Sequence, residues 1–271
     1  MIPMRTKPYI GITGLTSRDE VRATIAEFLS AGRTMASRHV PMLGFLVSYK
    51  TLNGDVTANR RYPKFGDLPS LLEVSANDAL NMVHYNSREL YTLPEQIGQV
   101  FTDFYKDALC RAVQLNIPWP YTAHIRKIKD KFPEMKIAVQ LSQKAMEDHL
   151  SPTGIVDKVS TYGKDIDYAL IDPSGGRGLG FDLGRSIMIY RELRNSLPEL
   201  VVGFAGGLTG ENVESKAKSI ISSVNEDDFC IDAEGGLRDR VADEYGVVTG
   251  DDALNFEKVR AYVRAASSAL G

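Results

Sequence analysis

Eight short runs rich in Val, Ile and Leu, most of them followed by a segment of helical periodicity, constrain this chain more than any other feature. The runs cover residues 8–13, 41–48, 81–85, 112–116, 136–141, 167–172, 200–205 and 228–232. Helices are predicted over 19–32, 68–79, 93–110, 120–131, 143–149, 153–161, 184–196, 210–222 and 253–269. Val21, Ile25 and Phe28 recur at helical spacing in the first, and Ile97, Val100, Phe101 and Phe104 in the third. Strands that alternate with helices run parallel to one another. Eight such units close into a barrel in about 250 residues, and this chain has 271. The expected fold is α/β, a (β/α)8 TIM barrel, as a single domain over residues 1–271. The competing arrangement is an open, doubly wound sheet. No GxGxxG follows the first strand, which weakens its dinucleotide-binding form.

Composition narrows the function classes. Hydrophobic residues make up 43% and charged residues 25%, as in ordinary soluble domains. No apolar run approaches 18 residues, so no membrane span is expected. The net charge of −3 gives no basic footprint, so nucleic acid is not an expected partner. Two cysteines, Cys110 and Cys230, make no disulfide framework, and the start lacks an apolar leader. Both point to a reducing, cytoplasmic setting. The histidines His39, His84, His124 and His149 are scattered, so neither a metal site nor a cofactor is expected.

In such barrels the site lies at the carboxyl ends of the strands. This chain places Thr13, Ser48, His84, Asn116, Gln140, Asp172 and Asp232 there. Asp172 and Asp232 each end an apolar strand just before glycines, which marks them for chemistry. Glycine lets backbone N–H groups approach an anion closely. Gly206-Gly207 and Gly235-Gly236, after the seventh and eighth strands, are where barrels often hold phosphate. A third glycine-rich segment, with Arg177 at its centre, follows the sixth strand.

Together these motifs resemble the phosphoribosylanthranilate isomerase family, a tryptophan-pathway barrel of the ribulose-phosphate-binding type. The segment AGGLTGENV at 205–213 is similar to that family's AGGLxPENV, and GGRGLGFDL at 175–183 to its GGTGKTFDW. IGITGLT at 10–16, VQLN at 113–116, DAEGGL at 232–237 and the closing LNFEKVRAYVRAA resemble its other segments in the same order. The resemblance spans the chain. It implies a small phosphorylated metabolite as partner and an Amadori rearrangement as chemistry. It also implies a strand-1 cysteine as general base and Asp172 as general acid. Gly206, Gly207, Gly235 and Gly236 would hold the phosphate, while Arg61, Asn116 and Arg177 would contact the substrate.

The departures are at the centre of that chemistry. Thr13 stands where the family has its cysteine, and a hydroxyl cannot serve as a free base near pH 7. Asn116 replaces the family's histidine after the fourth strand. His84 is the substitute base of ordinary pKa, and Glu234 is the other. Glu234 beside a phosphate would repel it unless it faces away or Arg177 compensates. Cys230 lies two residues before Asp232, about 6–7 Å deeper, where a packed core thiol is expected. The expected function is isomerase or related proton-transfer chemistry on a phosphorylated sugar or ribosyl compound, divergent from the family's own reaction. The alternative is a non-catalytic protein that binds a phosphorylated ligand. The long stretch 234–252 reads either as a lid or oligomer contact, or as a plain surface insertion.

Overall fold

The computed structural model describes residues 6–57, 59–148, 151–173, 183–239, 241–242, 244–245, 248–250 and 253–271. Eight parallel strands form a closed barrel: β1 (Tyr9–Thr13), β2 (Val40–Ser48), β3 (Leu80–Asn86), β4 (Ala112–Leu115), β5 (Lys136–Ser142), β6 (Tyr168–Asp172), β7 (Val201–Ala205) and β8 (Cys230–Ala233). β8 pairs back onto β1 through Ile10↔Ile231 and Gly11↔Asp232, which rules out the open sheet. The helices are α1 (Arg18–Ser30), α2 (Tyr49–Leu52), α3 (Leu68–Ser75), α4 (Leu93–Lys106), α5 (Thr122–Lys131), α6 (Gln143–Glu147), α7 (Pro152–Ser160), α8 (Leu183–Ser196), α9 (Val213–Val224) and α10 (Phe256–Ala269).

The two-residue period of a strand sorts its side chains into two cores. On β1, Ile10 and Ile12 face outward and pack with Val21, Ile25 and Phe28 of α1 and the apolar sides of the other helices. Tyr9 faces inward, with Val40, Met42, Met82, Ala112, Ala138, Tyr168, Val201 and Cys230. That second cluster fills the lower half of the barrel. Each large side chain so buried contributes about 1.5–3 kcal/mol.

Several ends differ from the sequence expectation. α4 stops at Lys106, not at residue 110, because Ala108 adopts φ +57° and Leu109 N–H turns back to the Phe104 carbonyl at 2.9 Å. β4 stops at Leu115, while β8 begins at Cys230 and extends through Ala233. At the start of the polar stretch 50–66, Ser48 caps α2 reciprocally with Thr51. The chain then bends at Asn53-Gly54, where Gly54 has φ +86°. Within 234–252 a two-stranded ribbon forms, β9 (Val241–Ala242) antiparallel to β10 (Val248–Gly250). It leaves and rejoins the barrel beside an Arg238↔Leu254 bridge.

Candidate functional site

The inward-facing residues change character at mid-barrel. Above the apolar cluster, the ladder His84↔Gln114 and the inward Gln140, Asp172 and Asp232 are polar. They line a cavity of about 170 Å³ that opens at the carboxyl ends of the strands. Arg61, Asn59 and Tyr62, from the connection after α2, close one side, and Glu234 closes another. The structure therefore brings Asp172, Asp232, His84, Asn116 and Arg61 to one cavity.

Thr13 sits beneath Asp232, its Oγ1 3.1 and 3.0 Å from the two carboxyl oxygens. Two glycines make this arrangement possible. A Cβ on Gly44 would overlap the Thr13 side chain, and one on Gly11 would lie 2.7 Å from Asp232 Oδ1. The sequence reading left both unassigned; their register opposite Thr13 and Asp232 is what gives them a role. Asp232 is only 6% exposed. Burial, reinforced by the neighbouring charges of Glu234 and Asp172, pushes its pKa well up, against the Thr13 hydrogen bond that lowers it. Burial thus favours the neutral form of Asp232, which can donate a hydrogen bond, over its carboxylate.

Glu234 faces into the cavity, and the arginine that compensates it is Arg61. The Arg61 Nη1–Glu234 Oε1 distance is 2.7 Å, with side chains 19% and 18% exposed. Asn59 Oδ1 fixes this arginine by accepting from its backbone N–H at 2.9 Å and its Nε at 3.3 Å. Burial lifts Glu234 to about 7; Arg61 and Arg238 pull it down, and Asp172 pushes it up. A carboxyl with such a pKa exchanges protons readily at neutral pH. Arg238 lies behind, buried, and donates to the Gly14 carbonyl oxygen. On the opposite wall, Gln140 Nε2 donates to Asp172 Oδ2 at 2.7 Å.

His84, put forward from sequence as a base, is 2% exposed. Burial lowers its pKa to about 3, so the imidazole is neutral near pH 7 and too weak a base to hold a proton there. Cys230 lies in the lower cluster, accepts from Tyr9 N–H at 3.3 Å, and has its pKa raised by burial. Cys110 donates to the Asn81 carbonyl at 3.0 Å and is pushed up to about 12. Neither thiol reaches the cavity.

Gly206 and Gly207 take φ +104° and +62°, values that a side chain would resist. Asn212 holds their loop by donating to the Gly207 carbonyl at 2.8 Å and accepting from Thr209 N–H at 3.0 Å. Gly235 and Gly236 open a single 3-10 turn. Its internal bond runs from Leu237 N–H to the Glu234 carbonyl at 3.1 Å, so the two glycine amides lie ahead of it. A Cβ on Gly236 would overlap the Leu208 carbonyl oxygen, so the loops after β7 and β8 touch here. Arg177 and the glycines around it lie outside the described residues. Among the described residues, no group of three or more His, Cys, Asp and Glu side chains is placed to hold a metal ion. No described helix is long and apolar enough to cross a membrane.

Fold and cavity together define a (β/α)8 barrel with an acidic, amide-lined mouth. N-(5'-phosphoribosyl)anthranilate isomerase from Pyrococcus furiosus shares this fold at TM-score 0.58 and 17% identity, over 96% of this chain and 99% of its own. The phosphoribosyl anthranilate isomerase from Thermotoga maritima does so at 0.60 and 17%, over 96% and 99%. A Rubisco-like protein from Rhodopseudomonas palustris matches at 0.56 and 11%, over 99% of this chain and 65% of that one. No family model and no curated protein sequence matches the chain. At these identities the likeness is one of fold.

Proposed function

We propose that the protein is an isomerase-like enzyme that moves a proton next to the carbonyl of a phosphorylated sugar or ribosyl compound. The observation that carries this reading is the pair of carboxyls lining one cavity, a buried Asp232 whose pKa is pushed well up and a Glu234 lifted to about 7. Two carboxyls whose surroundings set them to different protonation states are the usual mark of an acid and a base. Glu234, as carboxylate, takes the proton from the carbon next to the carbonyl. Asp232, as acid, donates to the carbonyl oxygen as negative charge develops there. The proton on Glu234 then goes to the former carbonyl carbon, while Asp232, now a carboxylate, takes a proton from the hydroxyl on the carbon that lost its hydrogen, which becomes the new carbonyl. Thr13 orients Asp232 and leaves the proton transfers to the carboxyls. Asp172, held by Gln140, orients a substrate hydroxyl; the family resemblance would make it the acid instead. Arg61 tunes Glu234. Asn116 lines the same wall, and Gly206, Gly207, Gly235 and Gly236 offer amides for the phosphate at the rim.

The reading is tested by incubating the protein in heavy water with D-ribose 5-phosphate and D-ribulose 5-phosphate. Proton NMR would show loss of the signal from hydrogen next to the carbonyl if the account holds. Binding of these compounds without deuterium incorporation would instead favour the non-catalytic, ligand-binding alternative.

A further inference from the structure

Two cavity-floor side chains have no part in that acid–base scheme. His84 and Gln114 are register partners on β3 and β4, each at most 2% exposed, and both line the cavity. Gln114 Nε2 donates to Asn116 Oδ1 at 2.8 Å and also faces His84 Nδ1 at 3.3 Å. An amide nitrogen carries two hydrogens and accepts none. Turning the amide over would set two oxygen acceptors 2.8 Å apart. With the two amides so oriented, Nδ1 of His84 is the acceptor and the ring proton sits on Nε2.

This leaves two buried atoms over: His84 Nε2–H, a donor, and Gln114 Oε1, an acceptor. Neither has a hydrogen-bond partner among the described residues. Buried polar atoms in folded proteins are almost always paired. A polyhydroxylated ligand can satisfy both, because each hydroxyl accepts and donates at once. We propose that His84 and Gln114 form a hydroxyl-binding subsite at the cavity floor, so that a polyhydroxylated ligand enters hydroxyl end first. A phosphate is disfavoured in that position. Its oxygens would meet Gln114 Oε1 and the carboxyls of Asp172 and Glu234, which line the same cavity. The charged end of the ligand therefore stays at the rim. The inference rests on reading the cavity as a ligand site, not on catalysis there.

The test is NMR on protein labelled with 15N histidine, titrated with ribitol 5-phosphate, which cannot enolise, and separately with inorganic phosphate. The free protein should show His84 in the Nε2–H form. Ribitol 5-phosphate should move that resonance, and inorganic phosphate should leave it in place. Gln114→Leu should weaken ribitol 5-phosphate about tenfold while the affinity for inorganic phosphate stays constant. The wild-type measurements stand even if that variant fails to fold. An Nδ1–H tautomer, an unmoved resonance at saturation, or no binding of ribitol 5-phosphate would overturn the subsite. A His84 response without deuterium incorporation from pentose phosphates keeps the subsite and removes the enzyme. Deuterium incorporation with an unmoved His84 does the reverse.

Discussion

β6 has an aspartate at each end, and their surroundings contrast. Asp167, just ahead of the strand, accepts from Lys129 at 3.0 Å, Lys136 at 2.8 Å and the Ile137 N–H at 3.0 Å. Its charge is answered by two cations within the fold. Asp172, at the mouth, is held by a carboxamide and shares its cavity with Asp232 and Glu234. There three carboxyl groups crowd together, and burial with the neighbouring charges pushes Asp232 well up and lifts Glu234 to about 7. The closed end of the barrel uses charge for stability. The open end holds acidic groups in costly surroundings, where a ligand can use them.

Substitutions separate the two ends. Glu234→Gln should lower the rate of deuterium incorporation by about 10²–10⁴-fold, the range for loss of a general base. The same change should leave the fold intact by circular dichroism. Asp167→Ala should do the opposite. It strands two partly buried lysines and should cost about 2–3 kcal/mol in urea unfolding, with little effect on catalysis per folded molecule.

The acidic mouth also predicts an unusual pH dependence. Glu234 has a folded pKa of about 7 against an ordinary 4.5. Below about 4.5 it is protonated in both states and costs nothing. Between 4.5 and 7 the unfolded chain releases the proton first, so folding stability falls as pH rises. Unfolding free energies from urea titrations should decline by roughly 2 kcal/mol between pH 5 and pH 8 from this group. Glu234→Gln should flatten that decline. The smallest effect belongs to Thr13→Val, which keeps the shape beside Gly44 and removes a hydrogen bond to Asp232. About 1 kcal/mol of stability should be lost, read from the same melts.

The closed barrel was legible because strand and helix periods are local and repeat eight times. The residues around the mouth were legible in part. Asp172 and Asp232 announced themselves by ending apolar strands before glycines. The Arg61–Glu234 pair did not, because 173 residues separate its members and only barrel closure brings them together. The neutrality of His84 follows from burial, which its position at a strand end does not reveal. Gly11 and Gly44 carry no local signal, since their work is to leave room for side chains on neighbouring strands.

The mouth holds a buried aspartic acid with a strongly raised pKa beside a glutamate poised at neutral pH. A carboxyl 13C NMR titration of the wild-type protein, assigned with Asp232→Asn and Glu234→Gln, tests it directly. The account predicts a Glu234 midpoint near 7 and an Asp232 midpoint well above the ordinary carboxylate range. Both groups titrating together in the ordinary carboxylate range, near pH 4, would contradict it.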